Sequence, residues 1–164
     1  MSEKNLRVAI VPGSFDPITL GHIDIVRRAA ELYDKVYLAV MINADKEYMF
    51  TLEERRRIAE AASADIERVE VISSEGYLWK LAADLGACAI VKGVRNDVDR
   101  EYELKMAEYN AERNPNAETV LLDSDSSLCH VSSTAVRERL LAGGDLSGYL
   151  PESAIRMIDR IKNS

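Results

Sequence analysis

Five short apolar runs alternate along the chain with longer stretches patterned for helix, and this alternation limits the fold more than any other feature. Val8-Ala9-Ile10-Val11 carries no polar residue and stops at Pro12-Gly13, as a strand covered on both faces does. Similar runs cover 36–41, 69–72, 87–91 and 119–122. A helical pattern starts at Gly21, with Ile23, Val26, Ala30 and Tyr33 on one face and Arg27, Arg28 and Glu31 off it. Thr51-Leu52-Glu53-Glu54 is a capping box opening a helix to about residue 62. Residues 77–85 read as a helix closed by Gly86, and 97–113 as a long helix ended before Asn114-Pro115. Ser132 or Ser133 caps a helix through Leu141, and Pro151 suits the first turn of a last one. Strands alternating with helices predict an α/β fold. The expectation is one domain over 1–164, a five-stranded parallel sheet with helices on both faces.

Charge decides the class of partner. The net charge of -7 argues against sequence-blind nucleic-acid binding, which needs a basic surface, but leaves room for a local basic pocket. Cys88 and Cys129 are the two cysteines and form no C-x-x-C. Neither a disulfide framework nor a zinc knuckle is expected, and a reducing cytoplasm fits. Residues 1–5 are polar, without an apolar signal core, and no apolar stretch approaches the roughly 20 residues of a membrane span. The expectation is a cytoplasmic chain with no membrane partner.

In parallel sheets ligands bind beyond the carboxyl ends of the strands, near a switch in strand order. After the first strand comes Pro12-Gly13-Ser14-Phe15-Asp16-Pro17-Ile18-Thr19-Leu20-Gly21-His22. It contains neither a dinucleotide fingerprint nor a P-loop. It does place a hydroxyl off the strand and Thr19-x-Gly21-His22 at a helix start, where free N–H groups suit a phosphate. The plainer reading of the same residues is a loop serine and a helix-capping histidine. Lys46 follows the second strand, Lys92 and Arg95 follow the fourth, and Ser132, Ser133 and Thr134 follow the fifth at another helix start. Three cations, His22 and two helix N-termini thus gather on one edge of the sheet.

The first segment resembles the signature of the T/H-x-G-H nucleotidyltransferase superfamily, and within it the bacterial phosphopantetheine adenylyltransferases. Lys46 to Arg55 is similar to that family's K-x-x-M-F-x-x-E-E-R segment. Lys92-Gly93-Val94-Arg95 with Glu101-Tyr102-Glu103 is similar to its R/K-G-L-R…E-Y-E segment, and Val131-Ser132-Ser133-Thr134 to its I-S-S-[ST] segment. The resemblance implies a Rossmann-like nucleotidyltransferase domain. It would transfer an adenylyl group from ATP to 4′-phosphopantetheine, giving dephospho-coenzyme A and pyrophosphate. Attack is in line, without a covalent enzyme intermediate. By the same resemblance His22, Ser14 and Lys46 are catalytic, and Ser14, Lys46, Leu78 and Lys92 bind the acceptor. Ser14, Phe15, His22, Gly93, Val94, Arg95 and Glu103 fall on the ATP side, with Leu128, Cys129, His130, Val131, Ser132, Ser133 and Thr134. Mg²⁺ is the implied cofactor, bridging nucleotide phosphates without a protein cage, and Asp16 shapes the turn instead. Coenzyme A as a feedback inhibitor and a homohexamer are implied too.

Some positions depart from the pattern. Ser14 stands where Thr is frequent, Lys92 where Arg is frequent, and Leu128-Cys129-His130 replaces a W-S-F stretch. Taken alone, His130 reads as structural or solvent-facing, Cys129 as a small loop side chain, and Cys88 and Trp79 as packing residues. The alternatives are a cytidylyltransferase or nicotinamide mononucleotide adenylyltransferase of the same superfamily, and a non-catalytic nucleotide sensor on this fold. The K-x-x-M-F and E-Y-E segments favour the pantetheine enzyme, and Ser14, His22 and Lys46 together favour a catalyst.

Overall fold

A computed structural model describes residues 6–164, so the polar segment 1–5 lies outside the described residues. Strands β1 (Val8–Gly13), β2 (Lys35–Met41), β3 (Val69–Ser74), β4 (Ala89–Val94) and β5 (Glu118–Asp123) form one sheet. Its order is β3-β2-β1-β4-β5 and every pairing is parallel. The helices are α1 (Leu20–Leu32), α2 (Leu52–Ser63), α3 (Leu78–Leu85), α4 (Asp97–Arg113), α5 (Ser133–Leu141) and α6 (Glu152–Lys162). Among the described residues no helix is long and apolar enough to cross a membrane.

Side-chain alternation along the strands divides the core. Ala9, Val11, Val36, Leu38, Val40 and Val91 face a large cluster with Ile23 and Val26 of α1, Ile58 of α2, Val136 of α5 and Ile158 of α6. Ile10, Ala39 and Ile90 face the other side, against Ala82, Leu78 and Leu81 of α3. Helices therefore cover both faces. The chain leaves β1 towards β2 and β3, then returns to add β4 on the other side. The β1/β4 boundary is the switch point at which parallel sheets open a crevice.

Most element ends move by a residue or two from the sequence reading, and four of the shifts bear on the site or its supports. Helix α1 starts at Leu20, before Gly21, and Thr19 is its N-cap, the hydroxyl accepting from the His22 N–H. Pro151 precedes α6 as its N-cap and lies outside the first turn. The fourth strand starts later, because Gly86 in the left-handed region and Ala87 close the end of α3 by bonding back to Ala82 and Ala83. It also ends later: Lys92, Gly93 and Val94 stay in register with Leu121, Leu122 and Asp123. Lys92 thus projects from a strand, not from a loop. Gly93 is required there, since a Cβ would sit 2.9 Å from Cγ1 of Ile25 on α1.

Candidate active site

A cleft of about 440 Å³ opens at the carboxyl ends of β1 and β4. Ser14 and Phe15 enter it from the loop after β1, His22 from the first turn of α1, and Lys46 from the loop after β2. Lys92, Gly93, Arg95 and Glu103 form the β4–α4 side. Leu128, Val131, Ser132, Ser133 and Thr134 close it from the approach to α5.

The α1 terminus explains His22. Thr19 and His22 form a reciprocal cap: the Thr19 hydroxyl accepts from the His22 N–H, and His22 Nδ1 accepts from the Thr19 N–H at 3.1 Å. Nδ1 is therefore unprotonated and the proton sits on Nε2, the donor left for the cleft. Burial, with Arg95 and Lys92 adding positive potential, lowers the imidazole pKa from 6.5 to about 4. At neutral pH His22 is an uncharged donor of fixed tautomer. The capping and site readings of this residue are compatible, because each uses a different ring nitrogen.

Phe15 orients that ring. Its backbone lies in the left-handed region at φ 49°, unusual for a bulky residue, and its ring meets the His22 ring edge-on with centroids 5.0 Å apart. Gly13 makes room: a Cβ there would lie 2.8 Å from the Phe15 ring. Ser14 faces the cleft, with Lys46 Nζ 3.5 Å from its hydroxyl. On the opposite wall both cations are held by acids one turn apart on α4, Lys92 by Glu103 and Arg95 by Asp99, each at 3.2 Å. Ser132 caps α5 by accepting from the Ala135 N–H, and Ser133 ties α5 to the α1 loop by donating to the Pro17 carbonyl at 2.8 Å.

Leu78 lies in a second, smaller cavity of about 70 Å³ between the sheet, α3 and α4. Its walls include Ile90, Tyr102, Met106, Asn110 and Thr119, together with Lys92 and Glu103, which also face the main cleft. Val94, Cys129 and His130 stand apart from both cavities. Val94 is buried in the sheet, Cys129 is exposed with Sγ 3.7 Å from the Asp125 carbonyl, and His130 packs edge-on against Tyr149.

Sequence reasoning passed over several lining groups. Arg137 reaches the cleft one turn into α5, donating to the Asp16 carbonyl at 2.8 Å and to the Thr134 hydroxyl at 3.1 Å. An arginine one turn after a serine cap was the signal that could have found it. Asp99 also lines the cleft. Asn110 of α4 lines the smaller cavity and, as an amide within a polar helix, gave no signal of it.

Comparison with known proteins matches residues 10–139 to the cytidylyltransferase-like family. A phosphopantetheine adenylyltransferase of Clostridium beijerinckii is 43% identical over 92% of this chain and 94% of its own. One from Caldanaerobacter subterraneus subsp. tengcongensis is 42% identical over 97% of this chain and 100% of its own. A solved Vibrio parahaemolyticus protein assigned as a nicotinate-nucleotide adenylyltransferase superposes with a TM-score of 0.72 at 18% identity, covering 94% of this chain and 93% of that one. That likeness speaks to the fold. Family match and sequence identity together make the chain a nucleotidyltransferase of the cytidylyltransferase-like family, grouped with the bacterial phosphopantetheine adenylyltransferases.

Proposed function

We propose that the chain transfers the adenylyl group of ATP to 4′-phosphopantetheine, yielding dephospho-coenzyme A and pyrophosphate. The observation that carries this reading is the pair of cavities sharing Lys92 and Glu103 as a common wall. The larger, rich in cations and helix N-termini, suits a nucleotide triphosphate. The smaller, about 70 Å³ and mixed apolar and amide, suits one end of a thin chain such as a pantetheine arm, with the arm's phosphate beside Lys92.

The acceptor phosphate then attacks the α-phosphorus in line and pyrophosphate leaves, with no bond to the protein. His22 donates from Nε2 to an α-phosphoryl oxygen, a contact that strengthens as charge builds. Lys46 and the Ser14 hydroxyl meet the same phosphates from the other side, and Arg95 with the α5 terminus holds the nucleotide. Every carboxylate lining the cleft is engaged: Asp99 and Glu103 hold the two cations, and Asp16 accepts from the Met49 and Phe50 N–H groups at 2.9 and 3.0 Å. This donor set fits Mg²⁺ carried on the nucleotide phosphates and water, where it would neutralise phosphate charge. The reading extends to a cytoplasmic setting and to coenzyme A, which carries the same arm and adenylate as the product, as a feedback inhibitor.

Pyrophosphate release from ATP, Mg²⁺ and 4′-phosphopantetheine tests the proposal. Faster turnover with CTP and an alcohol phosphate would overturn it.

A further inference from the structure

Arg55 is wholly buried, yet it belongs to α2 and touches neither cavity. Its Nε donates to the Phe50 carbonyl at 3.2 Å. One terminal nitrogen donates to the Ser14 carbonyl at 2.7 Å and to the Met41 carbonyl at 3.0 Å. Three segments meet on this guanidinium: the loop after β1, the end of β2, and the residue before the α2 cap. The Tyr48 ring lies over it at 3.9 Å, and the Tyr48 hydroxyl accepts the Asn43 N–H at 2.7 Å. Asp16, 4% exposed, clamps the same junction from the β1 side through the Met49 and Phe50 N–H groups.

The loop that carries Lys46 is thus fastened at residues 41, 43, 49 and 50, and Lys46 occupies its tip, its own N–H closing a turn onto the Asn43 carbonyl. The other loop fastened to Arg55 carries Ser14. A buried guanidinium is a costly device for stability, since burying it must first overcome desolvation. Its planar fork, however, can fix several carbonyls in one geometry, which a point charge or an apolar side chain cannot do.

We infer that Arg55 is a positioning residue for adenylyl transfer, setting the separation of Ser14 and Lys46 by clasping their two loops. The inference rests on the reading of Lys46 given above. Misplacing a reacting contact by about 1 Å can cost on the order of 100-fold in rate, whereas a group that only holds the fold together costs binding and stability together.

The test is a kinetic cycle on the full chain with Arg55→Lys, Lys46→Ala and the double variant, read by pyrophosphate release, calorimetric ATP titration and thermal melting. Arg55→Lys should melt cooperatively, bind ATP within about threefold of the parent and lose roughly 10- to 100-fold in kcat. The double variant should be no more than about threefold slower than Lys46→Ala, because both substitutions remove the same contact. Multiplying effects, a parallel loss of ATP affinity, or full turnover in Arg55→Lys overturns the inference. Undiminished turnover in Lys46→Ala instead overturns the reading of Lys46, and the inference with it. If Arg55→Lys does not melt cooperatively, Asp16→Asn and Tyr48→Phe enter the same cycle. Loss of the fold in all three overturns the inference, since the clasp would then serve folding alone.

Discussion

At the scale of single residues, His22 carries the sharpest consequence. Its imidazole stays neutral down to about pH 4 in the fold, against 6.5 for a free imidazole, because protonation must overcome burial and the cations Arg95 and Lys92. The folded chain therefore binds fewer protons than the unfolded one between these values. Stability contributed by neutral His22 is fully present above pH 6.5 and is lost as pH falls towards 4. The chain has two histidines, so an imidazole NMR titration reads this directly. One signal should titrate near 4 and vanish in His22→Gln, and a midpoint at 6.5 for that signal would refute the half-buried, capped geometry. In kinetics, His22→Ala should lose on the order of 10²–10³-fold in turnover while keeping ATP affinity within about tenfold. Equal loss of both would return His22 to capping alone. Gly13→Ala probes the same ring from behind. The added methyl meets the Phe15 ring at 2.8 Å, so it should cost about 1–3 kcal/mol in denaturant unfolding and slow turnover by tilting His22.

Elements show which parts of the fold could be read in advance. The α2 start was legible because Thr51 and Glu54 follow a known pattern, and their reciprocal bonds are present at 3.0 and 3.1 Å. Thr51→Ala should accordingly cost about 1 kcal/mol, a fall in Tm of about 2–4 °C for a domain of this size. An unchanged Tm would show that the cap frays in solution. The α1 start was placed late because its box uses His22 in place of Glu or Gln, and no helix-end pattern includes an imidazole. β4 was cut short because Lys92 and Gly93 look unlike a buried strand. The ladder to β5 holds them in place, and each pairing partner lies 29 residues away. Most residues of the cleft were legible for a simple reason: in parallel sheets, the residues just past a strand's carboxyl end face the ligand. Arg55 and the second cavity were not. Both depend on how helices pack across the sheet, and neither α2 nor α4 announces this in its sequence.

For the whole molecule, the outward surface of α4 bears on assembly. Val98 is 75% exposed, Tyr102 60%, Tyr109 38% and Met106 37%. These four fall within an arc of about 80° on a helix of 3.6 residues per turn, so they form one apolar stripe. Soluble monomers rarely leave such a stripe uncovered, and a chain of net charge -7 repels its copies unless apolar contact compensates. We expect the stripe to lie between copies in the homohexamer that the family resemblance implies. Light scattering should give six times the chain mass, and Val98→Glu should give a smaller species. A stable monomer of the parent at working concentration would refute this. The stripe also reaches the active site, because Tyr102 and Met106 wall the smaller cavity from outside the cleft. Assembly would therefore bear more directly on the acceptor pocket than on the nucleotide pocket, which shares the β4–α4 wall but takes the rest of its lining from β1, α1 and the approach to α5. Val98 itself lines neither cavity. If copies complete the acceptor side, Val98→Glu should raise the KM for 4′-phosphopantetheine by more than the KM for ATP. A dissociated chain with both constants unchanged would show that each copy works alone, and that the stripe serves assembly only.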